Sequence, residues 1–247
     1  MTQGSTATKG DVLVLVGTLK GAFILSSDDS RKVWLVSSPH SPGSEVYHVS
    51  YDPRNGGTVF AAVNQMIWGP TVQRSHDLGA TWLSPEDPPR FISGIADRVD
   101  QVWHVEPRRS EEPGSVYLGV APAALFRSDD YGSTWNEIAG LSKHPSRSQW
   151  QPGLGGLCLH SIIPVPSDSN RMWVGISAVG VFGTTDSGET WTTMNQGVRA
   201  GFLPDRYLIS ANAHTTIWPI MPGPNCFISR TTAEYTEVSR RARIGRT

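Results

Sequence analysis

The sequence predicts an all-β fold, a β-propeller built from four-stranded blades, and three observations predict it. First, one eight-residue pattern occurs three times: Ser75-His76-Asp77-Leu78-Gly79-Ala80-Thr81-Trp82, then Ser128 to Trp135, then Thr184 to Trp191, with starts 53 and 56 residues apart. A fixed period of this length is the mark of a repeat architecture. Second, His48, His104 and His160 fall at equal intervals of 56, each inside a short apolar strand. Third, 25 Gly and 18 Pro fit many short strands joined by turns, and no stretch reads as a long amphipathic helix.

Each residue of the repeated pattern Ser/Thr-x-Asp-x-Gly-x-Thr-Trp has a mechanical job. The carboxylates of Asp77, Asp130 and Asp186 and the hydroxyls of Ser75, Ser128 and Thr184 bond to the backbone of their own turn. Gly79, Gly132 and Gly188 supply the positive φ of a tight hairpin. Trp82, Trp135 and Trp191 open the next strand and bury a large ring. The pattern resembles the Asp-box, or BNR repeat, of the sialidase-like superfamily, and all three copies match at every position. That resemblance implies a propeller with its Asp-boxes on the face away from the family's active sites.

Aligned on these turns, the chain shows a larger unit of strand, strand, strand, turn, strand. Val46 to Val49, Val102 to Val105 and Cys158 to Ser161 are the first strands, followed closely by Pro53, Pro107 and Pro164. Val116 to Val120 and Ala124 to Arg127 are a second and third strand ahead of their turn. Three well-formed units result, over about 45–95, 100–145 and 157–200. An earlier unit, from Asp11, has a degenerate turn at Ser26-Ser27-Asp28-Asp29 and no first strand of its own. In closed propellers such a strand comes from the other terminus. Its opening Val16-Gly17-Thr18-Leu19-Lys20-Gly21-Ala22-Phe23 is similar to the start of uncharacterised bacterial sialidase-like proteins.

The expected organisation is a flexible N-terminus (1–10), the blades (11–205) and an irregular tail (206–247) with Pro219, Pro222 and Pro224 and a basic end. Two readings of the tail stand. It closes a small four-bladed ring, or the chain is a truncated or frame-shifted copy of a longer propeller. The second is favoured because related propellers have six or more blades.

The net charge of −1 gives no reason to expect a nucleic-acid or membrane partner. The first ten residues contain no apolar segment, which argues against a signal peptide, and a cytoplasmic location is expected. Cys158 and Cys226 are the only cysteines, so no disulfide framework is expected, and Cys158 reads as a small buried hydrophobe.

Chemistry is expected on the face opposite the repeated turns, from the loops at about 35–45, 83–101 and 136–157. His48, His104 and His160, on successive inner strands, either bond neighbouring backbone, contact an anionic ligand or substrate, or hold a metal, in that order of preference; no metal and no cofactor is assigned. Arg147, Trp150 and Gln151 join them as candidate ligand contacts, with Trp150 able to stack on a sugar. Glu45 and Asp100 are the nominated catalytic carboxylates, because glycoside hydrolysis needs two flanking one bond. The resemblance to true sialidases does not extend to their Arg-Ile-Pro signature, arginine triad or Tyr/Glu pair, so none of those roles is carried over. The function expected is binding of a glycan or partner protein on the loop face, as in photosystem assembly factors and sortilin-type receptors. The alternatives are a sialidase-like glycoside hydrolase and an inactive truncated copy.

Overall fold

The computed structural model describes residues 11–108, 113–153, 155–195 and 227–231. Among the described residues, fifteen strands form four antiparallel sheets of blade type. The first blade contains β1 (Val12–Thr18), β2 (Gly21–Ser27) and β3 (Leu35–Val36). The second contains β4 (Glu45–Asp52), β5 (Thr58–Gln65) and β6 (Gly69–Ser75), with Leu83 bridged to Arg74 where a fourth strand would run. The third holds β7 (Gln101–Pro107), β8 (Val116–Ala121), β9 (Ala124–Ser128) and β10 (Asn136–Glu137). The fourth holds β11 (Leu159–Val165), β12 (Asp168–Ile176), β13 (Gly180–Thr184) and β14 (Thr192–Thr193).

The inner strand of the first blade is β15 (Phe227–Thr231), which pairs antiparallel with β1 from Leu13↔Thr231 to Gly17↔Phe227. It comes from the far end of the sequence, where the residue pattern alone shows no regular strand. Backbone pairing needs no alternating side-chain signal, and β1 would otherwise expose an unpaired edge. His214, Arg199, Arg206, Tyr207 and Cys226 lie outside the described residues.

The three repeated turns have one geometry. Ser75 Oγ donates to Asp77 Oδ1 at 2.7 Å and accepts from Gly79 N at 2.7 Å. Asp77 in turn accepts from Thr81 N at 2.8 Å and Thr81 Oγ1 at 2.6 Å. The same four bonds measure 2.7, 2.8, 2.9 and 2.7 Å around Ser128 and Asp130, and 2.7, 3.0, 2.9 and 2.5 Å around Thr184 and Asp186. The turn is tighter than its glycine alone implies, because Leu78, Tyr131 and Ser187 also have positive φ, at 53, 60 and 61°. Consecutive left-handed residues strain the non-glycine member, and the carboxylate bonds hold it there.

These turns also join blades. Gly188 leaves no room for a Cβ, which would meet Ile138 Cγ2 of the previous blade at 2.6 Å. Gly79 likewise faces Ile24 Cδ1 at 2.9 Å. Trp135 is buried with Phe60, Ala62 and Val72 of the preceding blade, and Trp191 with Tyr117 and Leu125 of the blade before it. An indole buried this way removes about 150–250 Å² from water, on the order of 4 kcal/mol. The core is therefore a chain of three clusters between consecutive blades, not one central mass.

Candidate functional site

The inner strands β4, β7 and β11 each carry a bulge, and the bulges decide what faces the neighbouring blade. In β4, Val46 pairs with Val63 and His48 with Ala62, so Tyr47 is the extra residue. In β7, Val102 pairs with Val120 and His104 with Gly119, leaving Trp103 extra. In β11 the extra residue is His160, between Leu159↔Ile176 and Ser161↔Gly175. A bulge re-aims side chains that simple alternation would send to opposite faces. Asn64, at the end of β5, locks the two blades together: it donates to Val102 O at 2.9 Å and accepts from Val102 N at 2.8 Å.

That lock brings together four side chains from β4 and β7. Tyr47 Oη donates to Glu45 Oε2 at 2.7 Å, Gln101 Nε2 donates to Tyr47 Oη at 3.3 Å, and Trp103 Nε1 donates to Gln101 Oε1 at 3.2 Å. The Tyr47 and Trp103 rings lie 4.5 Å apart at 43°. Burial and the adjacent Glu45 carboxylate push the Tyr47 hydroxyl well above the usual phenol range. It stays protonated and serves as a donor. The cluster sits at the start of the inner strands, where Glu45 pairs with Asn64. The β5–β6 turn at the same end carries Met66, Ile67 and Trp68, which are 100, 81 and 84% exposed. Tyr47, Gln101, Trp103 and Trp68 were not among the sequence candidates. The apolar run Met66-Ile67-Trp68 was the signal available, since an exposed turn has no packing reason to carry it.

Deeper along the same strands lie the histidines. His48 and His104 stack with centroids 3.9 Å apart and planes at 21°. His48 Nδ1 bonds to Val105 O at 3.0 Å, and His104 Nε2 lies 3.5 Å from Glu106 Oε2. His160 Nδ1 is 2.9 Å from Ser161 Oγ. Burial, reinforced by His104, holds His48 well below the ordinary imidazole range and lowers His160 to about 4. Both are neutral at pH 7. The structure thus stacks His48 on His104 across two strands, with one nitrogen of His48 spent on backbone, while His160 bonds to its neighbour Ser161.

The remaining candidates are placed elsewhere. Asp100 is half-exposed, its carboxylate 3.5 Å from Arg98, whereas Glu45 is held by Tyr47. The two nominated carboxylates thus have separate partners. Trp150 is buried, covered by Phe182 at 5.1 Å and by the Arg147 guanidinium at 4.6 Å, and its Nε1 donates to Ser146 Oγ at 2.9 Å. Its ring is core and offers no face to a sugar. Arg147 donates to Ala123 O, so it too braces the third blade, and Gln151 is exposed. Glu137, overlooked in the sequence, is buried and accepts from Ile92 N, Ser93 N and Ser93 Oγ at 2.7, 2.9 and 2.6 Å, and from Ser142 Oγ. It anchors the long 83–101 loop to the third blade.

Four antiparallel blade-type sheets, joined turn to turn, define a β-propeller fold. Solved structures of that class are similar to it. The GH74 xyloglucanase of Xanthomonas campestris superposes with a TM-score of 0.54 at 16% identity, covering 81% of this chain and 32% of that one. The GH74 enzyme of Niastella koreensis gives 0.50 at 16% identity, covering 78% and 29%. In sequence, a xyloglucanase from Paenibacillus sp. is 25% identical over 154 residues, 57% of this chain and 15% of the relative. The chain thus spans about a sixth of the length of that relative and about a third of the two solved enzymes. No protein-family profile matches it.

Proposed function

We propose that this propeller binds a carbohydrate of the β-glucan type at the start of its inner strands, on the face away from the repeated turns. The observation that carries this is the Glu45–Tyr47–Gln101–Trp103 cluster. It offers two partly buried rings beside a carboxylate, an amide and a phenol, the combination of apolar faces and fixed polar groups that sugar hydroxyls require. Trp68 extends the aromatic surface at the same end of the second blade. The choice of polysaccharide is supported by the 25% identity to a xyloglucanase, an enzyme named for xyloglucan.

Hydrolysis is a second reading, and Glu45 is the group that favours it. Tyr47 donates to one of its oxygens and so fixes the carboxylate beside the two aromatic rings. A glycosidase needs a second carboxylate flanking the same bond, and Asp100, paired with Arg98, is the group nominated for that role. The sialidase-like reading rests on the three repeated turns alone. Affinity electrophoresis in gels containing xyloglucan, mixed-linkage glucan or starch tests the proposal. Retardation by xyloglucan that is abolished in Trp103→Ala supports it, and equal mobility in all gels refutes it. Release of reducing ends, lost in Glu45→Gln, would establish the hydrolytic reading.

A further inference from the structure

We propose that His48, His104 and Glu106 form a binding site for a divalent transition-metal ion of the Zn²⁺ class. One donor atom from each lies within 4.8 Å of the others, and all three residues are partly buried. Two imidazoles and a carboxylate are a donor set that Zn²⁺ takes in three-ligand sites, with the fourth tetrahedral position left to water or a ligand. Two details of this chain fit a metal better than a purely structural stack.

His48 Nδ1 bonds to the Val105 carbonyl at 3.0 Å. A carbonyl only accepts, so the proton sits on Nδ1 and Nε2 carries the lone pair. Metal-ligating histidines are oriented in just this manner by a second bond to backbone. His104 Nε2 is buried with no hydrogen-bond partner, and it faces Glu106 Oε2 at 3.5 Å. A buried ring nitrogen without a partner costs about 1–3 kcal/mol, which an ion between it and the carboxylate would relieve. Ligation at about 2.0 Å brings donors to about 3.3 Å from one another, so the widest pair closes in by at most about 1.5 Å.

The site spans the second and third blades, so the ion would also cross-link them. Titration calorimetry of the metal-free chain with Zn²⁺, and the visible spectrum of the Co²⁺ form, test the proposal. One equivalent of Zn²⁺ should bind, and Co²⁺ should give the intense absorption of a four-coordinate site. Glu106→Gln keeps the shape of the side chain, and it should weaken Zn²⁺ by at least about tenfold. His104→Ala should abolish binding, with the circular-dichroism spectrum and melt confirming that each variant is folded. His144→Ala, in the segment between the third and fourth blades and packed on Phe182, should leave affinity unchanged. Absence of stoichiometric Zn²⁺ binding by the wild-type chain overturns the proposal, as does binding that survives Glu106→Gln and His144→Ala alike.

Discussion

The imidazoles of His48 and His104, on different blades, stack with centroids 3.9 Å apart, one capped by the Val105 carbonyl and the other facing Glu106. Burial, with the His104 ring beside it, makes the charged form of His48 unfavourable in the fold.

The folded-state pKa of His48 is well below 6.5 and that of His160 is about 4. Below about pH 6.5 the unfolded chain therefore takes up protons that the folded chain refuses, and stability falls with falling pH. The loss continues down to about pH 4, where His160 titrates in the folded state. Urea midpoints should be level above pH 7 and drop between pH 6.5 and 4. His160→Gln should flatten part of that slope.

A second acid transition belongs to the repeated turns. Burial alone would raise the Asp77 carboxyl, but its bonds to Thr81 and Ser75 outweigh that and lower it to about 2. The Thr190 bonds do the same for Asp186, also to about 2. Depressed carboxylates stabilise the fold above the ordinary value near 3.8, and that contribution is lost as pH falls towards 2. Melts between pH 4 and 2 should show this steeper loss, and Asp77→Asn should reduce it.

Gly132 has φ +81°, and a Cβ there would meet Trp135 Cζ2 at 3.1 Å. Gly132→Ala should destabilise the chain by about 1–3 kcal/mol, read as a shift in the urea midpoint. Gly43 also has positive φ, but a Cβ there meets nothing within 4 Å. Gly43→Ala pays the backbone strain alone and should cost less.

Glu137 accepts four bonds from the 83–101 loop and from Ser142. Glu137→Ala strands those donors in a buried setting and should cost about 3 kcal/mol. Hydrogen exchange should show the loss first at Ile92 and Ser93.

Cys158 is fully buried, and burial pushes its thiol to about 11. Little thiolate exists at neutral pH, so alkylation of the folded chain at pH 8 should spare Cys158 and proceed only on unfolding.

The blades were legible because Asp130, Gly132 and Trp135 act locally: a carboxylate closing its own turn, a glycine with positive φ and a ring opening the next strand. The histidine interval was legible for the same reason, since equal blades repeat equal positions. The Glu45–Tyr47–Gln101–Trp103 cluster was not, because it depends on two bulges and on the grip of Asn64, all set by pairing across blades. Trp150 misled because an indole in a glycine-rich loop gives no sign of the Phe182 and Arg147 that cover it. That β1 would be paired by a strand from the other terminus was legible; that the strand is Phe227–Thr231 was not, because this pairing is a matter of backbone.

The most direct test of the account is isothermal titration of the chain with xyloglucan oligosaccharides, beside Trp103→Ala and Tyr47→Phe. The account predicts saturable binding by the wild-type chain, weakened at least about tenfold when the Trp103 ring is removed. Tyr47→Phe, which keeps the ring and loses the hydroxyl that donates to Glu45, should weaken binding less. Binding that is absent, or indifferent to Trp103, would contradict it.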